Sequence, residues 1–175
     1  ARGQRQKELL SELLTIRNPQ ERVMIVPVRN SNIVSQVAET LWVLAGRNDI
    51  DYLSRYLPRA ADFSDDGVTW RAGYGPRLRA WNGTVDQVAA VRDRIAEDRN
   101  TKRAVISIFD PAVDFQETLD VPCNNWLHFI RRGIDLHLSV SVRANDAFWG
   151  FAGINFFEWS VLHELLSNAT GSRGA

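Results

Sequence analysis

The chain holds a single cysteine, Cys123, in the stretch Val-Pro-Cys-Asn-Asn. A lone cysteine is ordinarily an inert core residue, because a thiol attacks only as the thiolate and the thiolate needs a nearby cation. Arg143 supplies that context: it follows the strand expected to lie beside Cys123, so the two read as a nucleophile and its activating charge. Glu39 is the second residue out of place. It lies inside the apolar stretch 37–44, where an inward carboxylate needs a partner or a proton and an outward one is simply solvated, and spacing leaves both readings open. Basic residues cluster at Arg2 with Arg5, at Arg77 with Arg79 and at Lys102 with Arg103; each pair solvates a surface unless several converge on one anion. There is no CxxC or HExxH spacing, and His128, His137 and His163 fall on different elements, so no metal is expected.

These residues must be carried by a framework of 175 residues, 45% hydrophobic and 24% charged, which is the size of one globular domain. With 21 basic against 21 acidic residues there is no global pull toward nucleic acid or an anionic membrane, so neither is expected as a partner, and any phosphate must be held by a few local arginines. One cysteine closes no internal disulfide, and no apolar run reaches the roughly 18 residues of a membrane span, which points to a reducing, cytoplasmic setting. No repeat or linker divides the chain, so a single domain over 1–175 is expected. It starts without a methionine, as a piece trimmed from something longer would, and we expect it to be incomplete at both ends.

The leucines of 7–17 fit a helical stripe, although 14–16 could equally alternate in a strand, and 22–28 is a short β-branched run that Pro27 confines to an edge. From Ser31 the spacing of Val34, Val37, Ala38, Leu41, Trp42 and Ala45 predicts a buried helix closed by Gly46. A shorter helix over 49–56 should end at Pro58, 62–67 is a turn-rich loop, and 84–97 reads as an amphipathic helix. Strands are expected at 104–109, 126–131 and 136–142, the last two joined as a hairpin through Gly133, before a final buried helix over 156–168. The pattern is α+β: a mostly antiparallel sheet with helices against one face.

The segment PCNNWLHFIRRGIDLHLSVSVRANDAFWGFAGIN resembles the catalytic core of the thymidylate synthase family, in which a Pro-Cys nucleophile precedes a strand hairpin, Arg-Ser-x-Asp, a glycine and a base-reading Asn or Asp. The helix ETLWVLAG resembles the family's Glu-Leu-Leu-Trp helix, GYGPRLRAW its Tyr-Gly-x-x-x-Arg-x-Trp loop, and DRNTKRAVISIFDP its paired basic residues before a central strand. The match runs from about Arg2 to Leu166 and turns the choice for 7–17 toward strand. It implies a thymidylate synthase-like fold, a mostly antiparallel or mixed sheet covered by helices, with a sheet face in a dimer interface.

The resemblance also implies roles. Cys123 would add to C6 of a pyrimidine nucleoside monophosphate, and C5 would then capture the methylene group of the co-substrate 5,10-methylenetetrahydrofolate. Arg143 would lower the thiol's pKa and bind the phosphate, joined by Arg2 and by Lys102 and Arg103 of a second subunit in a homodimer. Glu39 would relay protons through water, Tyr74 would assist at C5, Asp146 and Gly150 would face the folate, and Asn155 would read the base.

Four departures mark this chain: Asn124 stands where synthases carry histidine, Ala144 where they carry serine and Lys102 where they carry arginine, and 58–63 lacks the tryptophan pair that they pack against the folate. Without that wall, water can add where a hydride would, leaving a hydroxymethyl group. The expected activity is therefore C5-hydroxymethylation of a pyrimidine nucleotide, with CMP favoured over dCMP because Ala144 leaves room for a ribose hydroxyl. The alternatives are a thymidylate synthase that methylates dUMP and an inactive nucleotide-binding or dimerisation module. The family's folate-covering C-terminal tail has no counterpart in this sequence.

Overall fold

Gly133, at φ +60°, turns strand β2 (Asn124–Arg132) back into β3 (Asp135–Val142), and this hairpin is the axis of the molecule. In this computed structural model, which describes residues 5–25 and 31–175, Leu127 pairs with Val140, Phe129 with Leu138 and Arg131 with Leu136. β1 (Val105–Ser107) adds antiparallel to β2, and a two-residue β4 (Arg173–Gly174) adds parallel to β3, so the sheet is mixed, in the order β1-β2-β3-β4. One face is buried through Ile106, Leu127, Phe129 and Leu136, while Val105 and Trp126 stand on the exposed face.

Helices cover the buried face. α1 (Ile33–Leu44) is started by Asn32, whose side chain accepts from the N–H groups of Val34 and Ser35. α2 is Ile50–Leu53, α3 Tyr74–Arg79, α4 Gln87–Glu97, α5 Pro111–Asp114 and α6 Phe156–Ala169. A nine-residue π-type segment, Ala147–Asn155, runs into α6. α3 and α4 pack on β1, α6 packs on β3, and α1 lies on α3 and α6. Trp42, Leu53, Leu78, Ile95 and Leu162 close the core, each burying enough apolar surface to contribute about 1.5–3 kcal/mol.

Several expectations change. Residues 7–17 form neither helix nor strand, and Leu9, Leu10, Leu13 and Leu14 are exposed. A strand needs an edge to pair with; β4 takes the Asp135 and Leu136 end of β3, and no ladder includes 5–25. That segment is tied to α6 instead, by an ion pair from Arg22 to Glu164. Residues 21–25 are irregular, and 26–28 of the expected edge strand lie outside the described residues. α1 is buried on one face only: Ala38, Trp42 and Val43 face the core, whereas Val34, Val37 and Leu41 are exposed. The helix expected over 84–97 starts at Gln87, because Val85 bridges back to Trp81 and Asp86 caps the helix through the N–H of Ala89.

Candidate active site

Cys123 is half-buried at the foot of β2, where the ladder slips. Asn124 pairs with Val142 but Trp126 with Ser141, so Asn125 is an extra residue, and its carbonyl accepts from the N–H groups of both Ile108 and Phe109. The bulge lets Asn124 and Leu127 both face inward, each with no exposed surface. Burial pushes the Cys123 thiol up, the Arg143 guanidinium pulls it down and Asp120 adds to the rise; burial prevails. In this state the sulfur is a protonated thiol with one cation, Arg143, near enough to favour its ionised form.

Asn124 ties the polar centre together: its Nδ2 donates to the Tyr74 hydroxyl at 2.7 Å, and its Oδ1 accepts from Trp159 Nε1 at 3.2 Å. The Tyr74 ring lies 5.3 Å from that of Trp159. Tyr74 is brought in by a close backbone approach: a Cβ on its neighbour Gly75 would meet the Arg47 carbonyl at 2.2 Å, so only glycine fits. Burial holds the phenol protonated, with smaller pushes from Glu158 and Cys123. Glu39 takes the inward option. Desolvation raises its carboxyl to about 7, which places it between acid and base at physiological pH.

Arg143 donates from Nε to the Pro122 carbonyl (2.8 Å) and from Nη2 to the Val121 carbonyl (3.0 Å), and no carboxylate pairs with it among the described residues. Its full charge therefore remains available to an anion beside Cys123. Arg77 is the opposite case: it is buried and bound through two nitrogens to Asp114, and Arg79 pairs with Asp86, so neither serves an anion site. Lys102 and Arg103 are exposed just before β1 and have no side-chain partner among the described residues. Ala144 is exposed next to Arg143. Arg2 lies outside the described residues.

The residues assigned to the folate and the base gather around the π-type segment. The Asp146 side chain caps it, accepting from the N–H groups of Phe148 and Trp149. Asn155 donates to Asn145 Oδ1 at 3.4 Å, and a Cβ on Gly150 would meet that same oxygen at 1.9 Å, so Gly150 is required by the fit of Asn145. Phe148 and Trp149 are each 56% exposed, and Trp149 lies 6.2 Å from Phe63 of the 58–63 loop. This aromatic surface beside a carboxylate fits a flat heterocycle bearing hydrogen-bond donors, as a reduced pterin does.

Sequence reasoning missed Glu158, which is 1% exposed in the first turn of α6 and whose carboxyl is pushed well above its usual range by burial and, after that, by the charge of Glu39. The signal was the one that exposed Glu39: a carboxylate embedded in an apolar helix, here FFEWSVL. Among the described residues no group of three side chains could hold a metal, and no helix is long and apolar enough to cross a membrane.

Comparison with known proteins matches residues 2–174 to the thymidylate synthase family. The deoxyuridylate hydroxymethyltransferase of Bacillus phage SP01 is 39% identical over 97% of this chain and 47% of its own length. Its counterpart in Delftia phage PhiW-14 is 38% identical over 89% of the chain and 46% of its own length. A thymidylate synthase of Symbiobacterium thermophilum is 32% identical over 77% of the chain and 52% of its own length. The chain thus spans about half the length of these relatives.

Proposed function

This chain belongs to the thymidylate synthase family, and from that premise we propose that it takes part in folate-dependent C5-hydroxymethylation of a pyrimidine nucleoside monophosphate. The observation that supports the reading is Cys123 at the end of the hairpin beside Arg143, whose backbone N–H donates to the Cys123 carbonyl and whose guanidinium has no acidic partner among the described residues.

Arg143 binds the phosphate, and the arriving dianion is held where the guanidinium already faces Cys123. The thiol gives up its proton and attacks C6 of the pyrimidine, which makes C5 nucleophilic. Glu39, part-protonated near pH 7, supplies and withdraws protons at the base through water, and the Tyr74 hydroxyl, oriented by Asn124, faces the C5 side. Asp146, Gly150 and the Phe148–Trp149 surface hold 5,10-methylenetetrahydrofolate, which supplies the one-carbon unit, and Asn155 reads the base edge. The site is completed in a homodimer across the exposed sheet face, with Arg2, Lys102 and Arg103 closing on the phosphate.

The relatives named for deoxyuridylate favour uracil and deoxyribose, whereas Ala144 favours a ribonucleotide such as CMP. Incubating the full-length protein with methylene folate and dUMP, dCMP or CMP, and weighing the products, tests both. A hydroxymethyl product from any of the three supports the activity and the best of them names the substrate; a methyl product makes the chain a synthase. A 5-fluoropyrimidine nucleotide trapped on Cys123 in the presence of methylene folate tests the nucleophile, and failure to trap removes Cys123 from that role.

A further inference from the structure

We propose that Trp159 is a positioning residue of this site: its indole N–H fixes the Asn124 amide, which obliges the Tyr74 hydroxyl to turn its own proton toward the bound base, where it favours uracil over cytosine. An indole nitrogen donates and never accepts, so the Asn124 atom 3.2 Å from Trp159 Nε1 must be the amide oxygen. The Asn124 Nδ2 is thereby turned to Tyr74 and donates to its hydroxyl oxygen at 2.7 Å. A phenol oxygen that accepts from the amide directs its proton elsewhere, and no described residue takes that proton. The opposite amide orientation would set two N–H donors face to face and leave the indole unpaired in the core. Water does not relieve that conflict, because Asn124 has no exposed surface and Trp159 is 4% exposed, whereas Tyr74 is only half-buried. Polarity therefore runs one way, from the indole on α6 through the amide on β2 to the phenol on α3.

Asn124 directly follows Cys123, so this chain of hydrogen bonds ends beside the nucleophile. With Cys123 joined to C6 and Tyr74 on the C5 side, the exocyclic group nearest the phenol is the one on C4. In uracil that group is a carbonyl, which accepts the phenolic hydrogen bond. In cytosine it is an amino group, whose N–H groups meet the phenolic proton, and the site is left with a donor unpaired. The base preference rests on the function proposed above; the orientation of the amide does not.

The test has two arms, both on the full-length protein. In the first, tryptophan is labelled with 15N at the indole, and the Trp159 resonance is identified by its loss in Trp159→Phe. Its N–H should exchange slowly with solvent, and Asn124→Leu, which keeps the size of the side chain and removes the acceptor, should shift the resonance upfield and speed the exchange. An unchanged resonance in Asn124→Leu overturns the orientation, and so does fast exchange in the native protein, which needs no variant of Asn124 to fold. In the second arm, calorimetry gives Kd for dUMP and for dCMP. The native protein should prefer dUMP, and the ratio of the two constants should fall about tenfold in Trp159→Phe, because the freed amide can turn its oxygen to Tyr74 and draw the phenolic proton inward. Tyr74→Phe should lower the ratio by a similar factor, and the double variant no further. A merely structural Trp159 would weaken both nucleotides alike; an unchanged ratio in Trp159→Phe, or a native preference for dCMP, overturns the proposal. Where Trp159→Phe does not fold, an unchanged ratio in Tyr74→Phe overturns it equally. Binding of neither nucleotide to the native protein overturns the proposed function together with the base preference, while the indole arm still decides the orientation of the amide.

Discussion

Asp114 and Glu158 are both carboxyls with almost no exposed surface, one at the end of α5 and the other in the first turn of α6. Around Asp114 the chain spends two arginines: Arg77 reaches its two oxygens at 2.6 and 2.8 Å, Arg71 adds a bond at 3.1 Å, and the Asp110 N–H donates at 2.7 Å. Around Glu158 it supplies another carboxyl. Burial alone would raise both. The arginine hydrogen bonds reverse the sign at Asp114, holding it below its usual range, while nothing reverses it at Glu158. At Asp114 a buried charge is neutralised and fixed by arginines, and at Glu158, which acts on Tyr74, a buried carboxyl is left without a cation to hold it ionised.

The largest effect expected from breaking this contrast is at the scaffold. Asp114→Asn leaves Arg77 buried against a neutral partner and should cost about 3 to 5 kcal/mol in urea unfolding; a loss below about 1 kcal/mol would mean that the node is dispensable. The pH dependence should follow with opposite signs at the two places. Asp114 titrates lower in the folded chain than in the unfolded one, so its stabilisation is full above the unfolded value, about 4, and is lost as pH falls through its folded value. Glu39 titrates higher when folded, so the folded chain holds a proton that the unfolded chain has released, and stability falls as pH rises from about 4.5 toward 7. Urea midpoints measured from pH 3 to 9 should therefore decline at both ends. Glu39→Gln should make the neutral limb shallower and leave the acid limb unchanged, the remaining decline coming from Glu158, which burial also raises; a neutral limb of undiminished slope would place the titration elsewhere.

The uneven legibility of the sequence follows the same physics. The hairpin, α1 and α6 were readable because alternation and helical spacing are local properties, and the Pro-Cys, Tyr-Gly and Arg-x-x-Asp landmarks sit where such elements end. The pairing of Arg77 with Asp114 joins residues 37 positions apart, and Arg77 on its own reads as surface charge. The exposed leucines of the N-terminal segment misled for a related reason: apolar spacing says that a face is to be covered but not by what. Glu39 stands out within its apolar stretch, and FFEWSVL carries the same signal for Glu158.

Smaller effects sharpen the contrast within the site. At pH 8 Glu158→Gln should be at least as stable as the native chain, since a neutral side chain replaces one whose ionisation is opposed, and a loss above about 2 kcal/mol would show Glu158 to be a structural hydrogen-bonding group instead. Tyr74→Phe, which strips the acceptor from Asn124 Nδ2, should cost about 0.5 to 1.5 kcal/mol by the same measurement. No loss would mean that the amide finds water and that Asn124 is not holding the phenol.

The extra residue in β2 bears on how this site can change over generations. Alternation along a strand is a parity, and Asn125 switches it once, so everything before it projects to the face opposite the one a regular strand would give. Removing that single codon would leave the composition and nearly all of the hairpin's apolar pattern intact, yet would turn Asn124 and Cys123 over together. Length changes are ordinarily absorbed in loops. Here one of them decides which face of the sheet carries Asn124 and Cys123, a step that a library built only of amino-acid replacements never samples.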